Sequence, residues 1–198
     1  MIRLVVAAIA VIMIAFAFPP VAHPGQKRDE KKDPFQSFEP KSKPGEGQKF
    51  LASFVGNWSV VKTFHPRKGE PVRVVGECKQ TMIHSGRFLQ SEFTFKAEAG
   101  PTTGLGLIGY EPETGLFTSI WTDSRQTRMS ARQSEDKFDG ERIVLFSKEF
   151  GGKDGRRSKT ITRLEDEGRK IVHRQYSIEK GIPDRLVMEL VLTRKSAK

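Results

Sequence analysis

At 198 residues the chain is long enough for one domain of ordinary size with tails. Apolar residues make up 36% and charged residues 29%, with 14 Phe and 2 Trp, which excludes a transmembrane helical bundle and a wholly disordered chain while leaving material for one small core. The formal net charge of +10 puts nucleic acid, acidic polymers and anionic surfaces forward as partners to be weighed against motifs.

The first element is the apolar run Leu4 to Phe18, preceded by Arg3 and followed by small residues around Ala17 and Ala22. A helix of about 15 residues rises about 22 Å, short of a hydrocarbon core of about 30 Å. The charged start, apolar middle and small-residue end predict a secretory signal peptide over 1–22, or a membrane tether if it is not cleaved. The expected location is therefore secreted or periplasmic. Residues 23–47 are rich in Pro, Lys, Glu and Asp with Phe35 and Phe38 as their main apolar content, and are predicted to be a flexible linker. Their charges nearly cancel, so the excess of cations belongs to the domain at 48–198.

Within that domain Phe50, Leu51, Phe54 and Val55 fall on one helical face, which predicts a short helix over 48–55. Thereafter Val, Ile, Thr and Phe gather in short segments between Gly-bearing turns, the rhythm of an all-β fold. Strands are predicted at 57–65, 72–83, 87–97, 102–111, 116–123, 125–134, 139–150, 156–164, 169–179 and 185–194. Most separators are short enough for hairpins. Ten hairpin-linked strands lose their two edges most simply by closing on themselves, so an antiparallel up-and-down barrel is preferred to a Greek-key sandwich, with the helix closing one end. Cys78 is the only cysteine; no intramolecular disulfide is possible, and a small buried side chain is expected.

Phe50-Leu51-Ala52-Ser53-Phe54-Val55-Gly56-Asn57-Trp58 resembles the entry to a calycin-type barrel, where a short helix leads to Gly-x-Trp at the first strand. Gly86-Arg87-Phe88-Leu89-Gln90, Gly104-Leu105-Gly106 with Gly109-Tyr110, Trp121-x-Asp123 and the closing Thr193-Arg194-Lys195 follow in order. Together, over roughly 47–195, they resemble the family catalogued as domain of unknown function 1579. The resemblance implies a lipocalin-like or fatty-acid-binding-protein-like barrel and supplies no catalytic set. It also implies structural roles for Gly56, as a sharp turn, and Trp58, as a plug at the barrel base. We expect Trp58 to lie under a cation such as Arg194.

Gly104-Leu105-Gly106-Leu107-Ile108-Gly109 spells a dinucleotide fingerprint, but a turn at Glu111-Pro112-Glu113-Thr114-Gly115 follows it in place of the helix that would hold a pyrophosphate. The expected role of these glycines is close backbone approach in a barrel strand. His23, His65, His84 and His173 contain no His-Glu-x-x-His and no i, i+4 pair, so no metal site is expected. His173, in a strand, is the one candidate for a haem-binding alternative. Glu92 and Asp123 are the candidates for an acid-base enzyme, although no catalytic residue is assigned. Arg125, Arg128 and Arg132, and Arg156, Arg157, Lys159 and Arg163, are interleaved with acids and lack a nucleic-acid motif; solvated strand faces are expected, with contact to an anionic envelope surface preferred over nucleic acid.

The leading functional expectation is a lumen holding a small apolar or amphipathic ligand, with Phe88, Gln90, Glu92, Tyr110, Trp121, Asp123 and His173 as candidate lining residues. No cofactor is needed for that reading. Alternation does not by itself tell the two faces of 87–95 apart, because one carries Phe88, Gln90, Glu92 and Thr94 and the other Leu89, Ser91, Phe93 and Phe95.

Overall fold

The computed structural model describes residues 35, 41–97, 100–147 and 157–196. The expected signal segment and most of the linker lie outside the described residues. One short α-helix, α1 (Glu46–Ala52), precedes ten strands: β1 (Gly56–Phe64), β2 (Val72–Ile83), β3 (Phe88–Phe95), β4 (Thr102–Glu111), β5 (Leu116–Asp123), β6 (Ser130–Gln133), β7 (Arg142–Ser147), β8 (Arg157–Glu165), β9 (Lys170–Glu179) and β10 (Ile182–Arg194). Each strand pairs antiparallel with its chain neighbours, and β1 pairs with β10 from Trp58 opposite Arg194 to Phe64 opposite Met188. The meander is therefore a closed ten-stranded barrel.

Helix α1 starts at Glu46, two residues inside the expected linker. The Gln48 side-chain carbonyl accepts the Gly45 N–H at 2.7 Å, which ties off the first turn, and its amide donates to the Tyr110 carbonyl at 2.6 Å. One buried side chain thus both starts the helix and fastens it to the end of β4. Leu51 and Phe54 bury their apolar bodies almost completely. Phe54 sets its ring against Phe50, and Phe50, Tyr110 and Phe117 surround Phe138 at centroid distances of 5.0, 6.2 and 5.1 Å.

At the first strand, Gly56 has φ +147°, and a side chain there would collide with the Arg194 guanidinium. That open space lets Arg194 donate to the Val55 and Ser53 carbonyls at 2.6 and 2.9 Å, and to Gly168 at 3.0 Å. Its guanidinium carbon stands 4.2 Å from the Trp58 ring centre. The indole N–H of Trp58 donates to the Phe54 carbonyl at 3.0 Å, and the residue is fully buried. Helix, first strand and last strand therefore meet at one joint.

Two strand predictions are too long for one physical reason. Segment 125–134 shrinks to β6 because the Asp123 carboxylate accepts the Arg125 N–H at 2.9 Å and turns the chain. Segment 139–150 starts late because the Asp139 carboxylate accepts the N–H groups of Glu141 and Arg142 at 2.9 and 3.0 Å. In both, an aspartate side chain takes the backbone donors a ladder would have used. Among the described residues β6 and β7 are in register at Arg132 with Ser147 and at Gln133 with Phe146.

Candidate functional site

The barrel encloses a cavity of about 780 Å³, within the ~300–1,000 Å³ range of small-molecule sites. Its lining follows from strand direction, since odd-numbered strands run away from α1. Near the helix the wall and floor are apolar: Leu51, Phe54, Ile143, Leu145, Ile171 and Leu192. Higher up come Gln80, Ser91, Ser119, Arg132, Thr162 and His173, a polar belt. Around the far mouth stand Lys62, Asp123, Arg125, Arg128, Arg157 and Arg185. Among the described residues the lining thus carries six cationic side chains and one carboxylate.

Register decides which expected residues face this space. Asp123 pairs with Gly104, which pairs with Phe93, all on the inner row; Glu92 pairs with Leu105, which pairs with Thr122, all on the outer row. Leu89, Ser91, Phe93 and Phe95 are the buried set of β3. Phe88, Gln90 and Glu92 therefore lie outside the lumen, a correction to the expectation that they line it; the Gln90 amide donates to Glu92 at 2.7 Å on the exposed surface. The inner row buries the larger apolar area of two phenylalanines and a leucine, against one phenylalanine on the other face, and this sets the choice. Tyr110 points inward but sits below the cavity in the floor cluster, its ring packed on Gly47 and 4.9 Å from Phe117. Trp121, Asp123 and His173 do line the lumen.

Trp121 lies flat on β4. A methyl group on Gly104 would overlap its six-membered ring, and Gly106 lies in ordinary contact with the same indole. Of the fingerprint-like glycines, Gly104 thus makes room for a tryptophan, and Gly109 does the same for Phe88. Trp121 donates its N–H to Asp123 at 3.1 Å and packs edge-on against Phe93. Asp123 also accepts from Arg125 and Gln126 at 3.3 Å. Partial burial raises its pKa, but these donors overcome that and hold the carboxyl far below the usual carboxylate range. Asp123 remains ionised and Glu92 is across the sheet, so this pair does not assemble the expected acid-base arrangement.

His173 bonds through Nδ1 to the Thr162 hydroxyl at 2.8 Å. Burial, and then the charge of Arg132, pull its pKa down to about 4, leaving a neutral imidazole at physiological pH. Lys62 is buried, with its ammonium 4.2 and 4.9 Å from the Phe95 and Phe64 ring centres. Burial, reinforced by the Arg125 charge and opposed by Asp123, brings its pKa down to about 8. Cys78 is buried too, and burial pushes its thiol up to about 12, where it is a poor nucleophile.

Sequence reasoning passed over Lys62 and read Arg125, Arg128, Arg132 and Arg157 as solvated strand faces; all five line the lumen or its mouth. Lys62 was reachable, because it alternates with Trp58 and Val60 on one face of β1. Arg132 was not, since β6 is four residues long and its inner row depends on where the Asp123 turn ends; Arg125 and Arg128 precede β6 and Arg157 opens β8. Among the described residues no group of three or more His, Cys, Asp or Glu is placed to hold a metal.

Residues 43–194 match the family described as protein of unknown function DUF1579, and the chain belongs to that family. Among solved structures it is similar to Rv2717c from M. tuberculosis, with 15% identity and a TM-score of 0.51 over 78% of this chain and 100% of that one. It is also similar to the S-type phycobiliprotein lyase CPES from Guillardia theta, with 11% identity and a TM-score of 0.53 over 77% of this chain and 94% of that one. At these identities the likeness is one of fold. No curated protein matches the chain.

Proposed function

We propose that the protein is an exported, lipocalin-like carrier that holds a small amphipathic molecule inside its barrel. The observation that carries this reading is the lumen of about 780 Å³ whose lining grades from an apolar floor to a cationic mouth. A barrel serving stability alone is filled by its own side chains. The likeness to a phycobiliprotein lyase supports the handling of a small molecule, as an analogy of fold. Export rests on the pattern of residues 1–22, and the net charge of +10 supports attraction to an anionic envelope surface. Native mass spectrometry of the protein purified from its own envelope should show a bound small molecule released on denaturation. An unliganded mass, with no quenching of tryptophan emission by added amphipaths, overturns the carrier reading; recovery of the protein only in the cytoplasm overturns export.

A second reading, a haem held through His173, is favoured by one observation: the imidazole faces the lumen and is neutral, so it keeps a lone pair for a metal. A haem would supply redox or gas-binding chemistry, and Thr162 would orient the ring through Nδ1. A Soret band after reconstitution, lost in His173→Ala, is the expected result for this reading, and its absence refutes it.

A further inference from the structure

The cations of the lumen differ in what answers their charge. Arg125 pairs with Asp123 at 3.3 Å and Arg157 pairs with Glu135. Arg185 donates to the His65 carbonyl at 3.1 Å. Lys62 rests on the faces of Phe64 and Phe95, feels the charge of Asp123, and is able to shed its proton. Arg128 lines the mouth but is exposed, so water answers its charge; Arg132 has none of these outlets. Its Nε is buried without a hydrogen-bond partner, and no ion pair answers its guanidinium among the described residues. A guanidinium cannot shed its proton in a protein, and on half-buried Arg132 the partial desolvation of that charge is not offset by a counter-charge from the protein.

The surroundings of Arg132 state what is missing. In register on either side stand Ser119 of β5 and Ser147 of β7, and His173 is close enough to feel the guanidinium charge. Below this point on β7, Ile143 and Leu145 turn into the cavity. A planar fork of N–H donors matches a carboxylate or phosphate, which it binds through two parallel hydrogen bonds. The apolar wall beneath accepts a hydrocarbon chain.

Building on the carrier reading, we infer that the ligand is an amphipath with an oxyanion head, carboxylate or phosphate, held by Arg132, with its chain directed toward the floor around Leu145 and Ile171. The head supplies the counter-charge the barrel wall withholds, and the chain fills the apolar end.

The test compares three probes of one chain length, dodecanoate, dodecyl phosphate and dodecanol, titrated calorimetrically into the full-length protein. At least one anion should bind about tenfold or more tighter than dodecanol. Which anion wins identifies the head. In Arg132→Met that preference should collapse while dodecanol affinity stays within about twofold, and Arg132→Lys should restore part of it. Equal affinity for anions and alcohol overturns the inference and leaves the carrier reading standing; binding of none overturns both. Equal weakening of anion and alcohol in Arg132→Met also overturns it, as does a preference abolished by Lys62→Met and untouched by Arg132→Met. The wild-type comparison needs no variant, so a misfolded Arg132→Met cannot shield the inference.

Discussion

Trp58 and Lys62 alternate on the same face of β1 and show the two ways a residue belongs to this barrel. Trp58 fills space at the joint of helix, first strand and last strand, with its N–H satisfied and Arg194 across its face. Trp58→Ala should therefore cost about 3–5 kcal/mol by chemical denaturation, and a loss under about 1 kcal/mol would contradict that placement. Lys62 places a charge where solvent is scarce. Its folded pKa of about 8 lies below the ordinary 10.5, so the unfolded chain binds more protons between those values and stability rises with pH across that window. Below pH 8 the whole penalty is present. Lys62→Met should be more stable than wild type at pH 7 by about 1–3 kcal/mol, with the gap closing as pH rises from 8 to 10.5. Paired denaturant titrations at the two ends of that range read the difference directly.

At the scale of elements, β4 and β5 form a hairpin in which Gly104 leaves room for Trp121. Gly104→Ala places a methyl group inside the volume of the Trp121 indole, so the ring must lift from the strand. The expected cost is about 1–3 kcal/mol, with a shift in tryptophan emission as the Asp123 hydrogen bond is lost. Gly106→Ala meets the same ring only at ordinary contact distance and should change both readouts much less. A reversed order of the two variants would refute this packing. The location of these strands was legible in the sequence because apolar clusters and Gly turns mark them. The shortening of β6 and β7 was not, because Asp123 and Asp139 claim backbone donors through side-chain geometry that spacing alone does not display.

For the whole molecule, closure joins chain segments more than a hundred residues apart at the β1 and β10 seam. A closed barrel has no edge strand, so amides of β1 and β10 should exchange with solvent as slowly as those of β3 and β4. Strand β6, four residues long, should exchange fastest among the described strand ladders. Hydrogen exchange resolved by residue tests both statements; a fast β1 and β10 seam would mean an open sheet. Strand β6 contains Arg132, so binding of an oxyanion there should slow exchange at Ser130–Gln133.

Legible in the sequence were the all-β class, the number and order of strands, and the helix–Gly-x-Trp entry to β1. These follow from local periodicity, turn chemistry and a motif whose parts are near in the chain. It took the closed barrel to sort the faces: Phe88, Gln90 and Glu92 outward, Tyr110 in the floor, Trp121, Asp123 and His173 on the lumen, and Lys62 and Arg132 with their charges directed into it. A strand's two faces are exchanged by a slip of one residue, and which face is buried depends on what the neighbouring strands and the closing helix set against it.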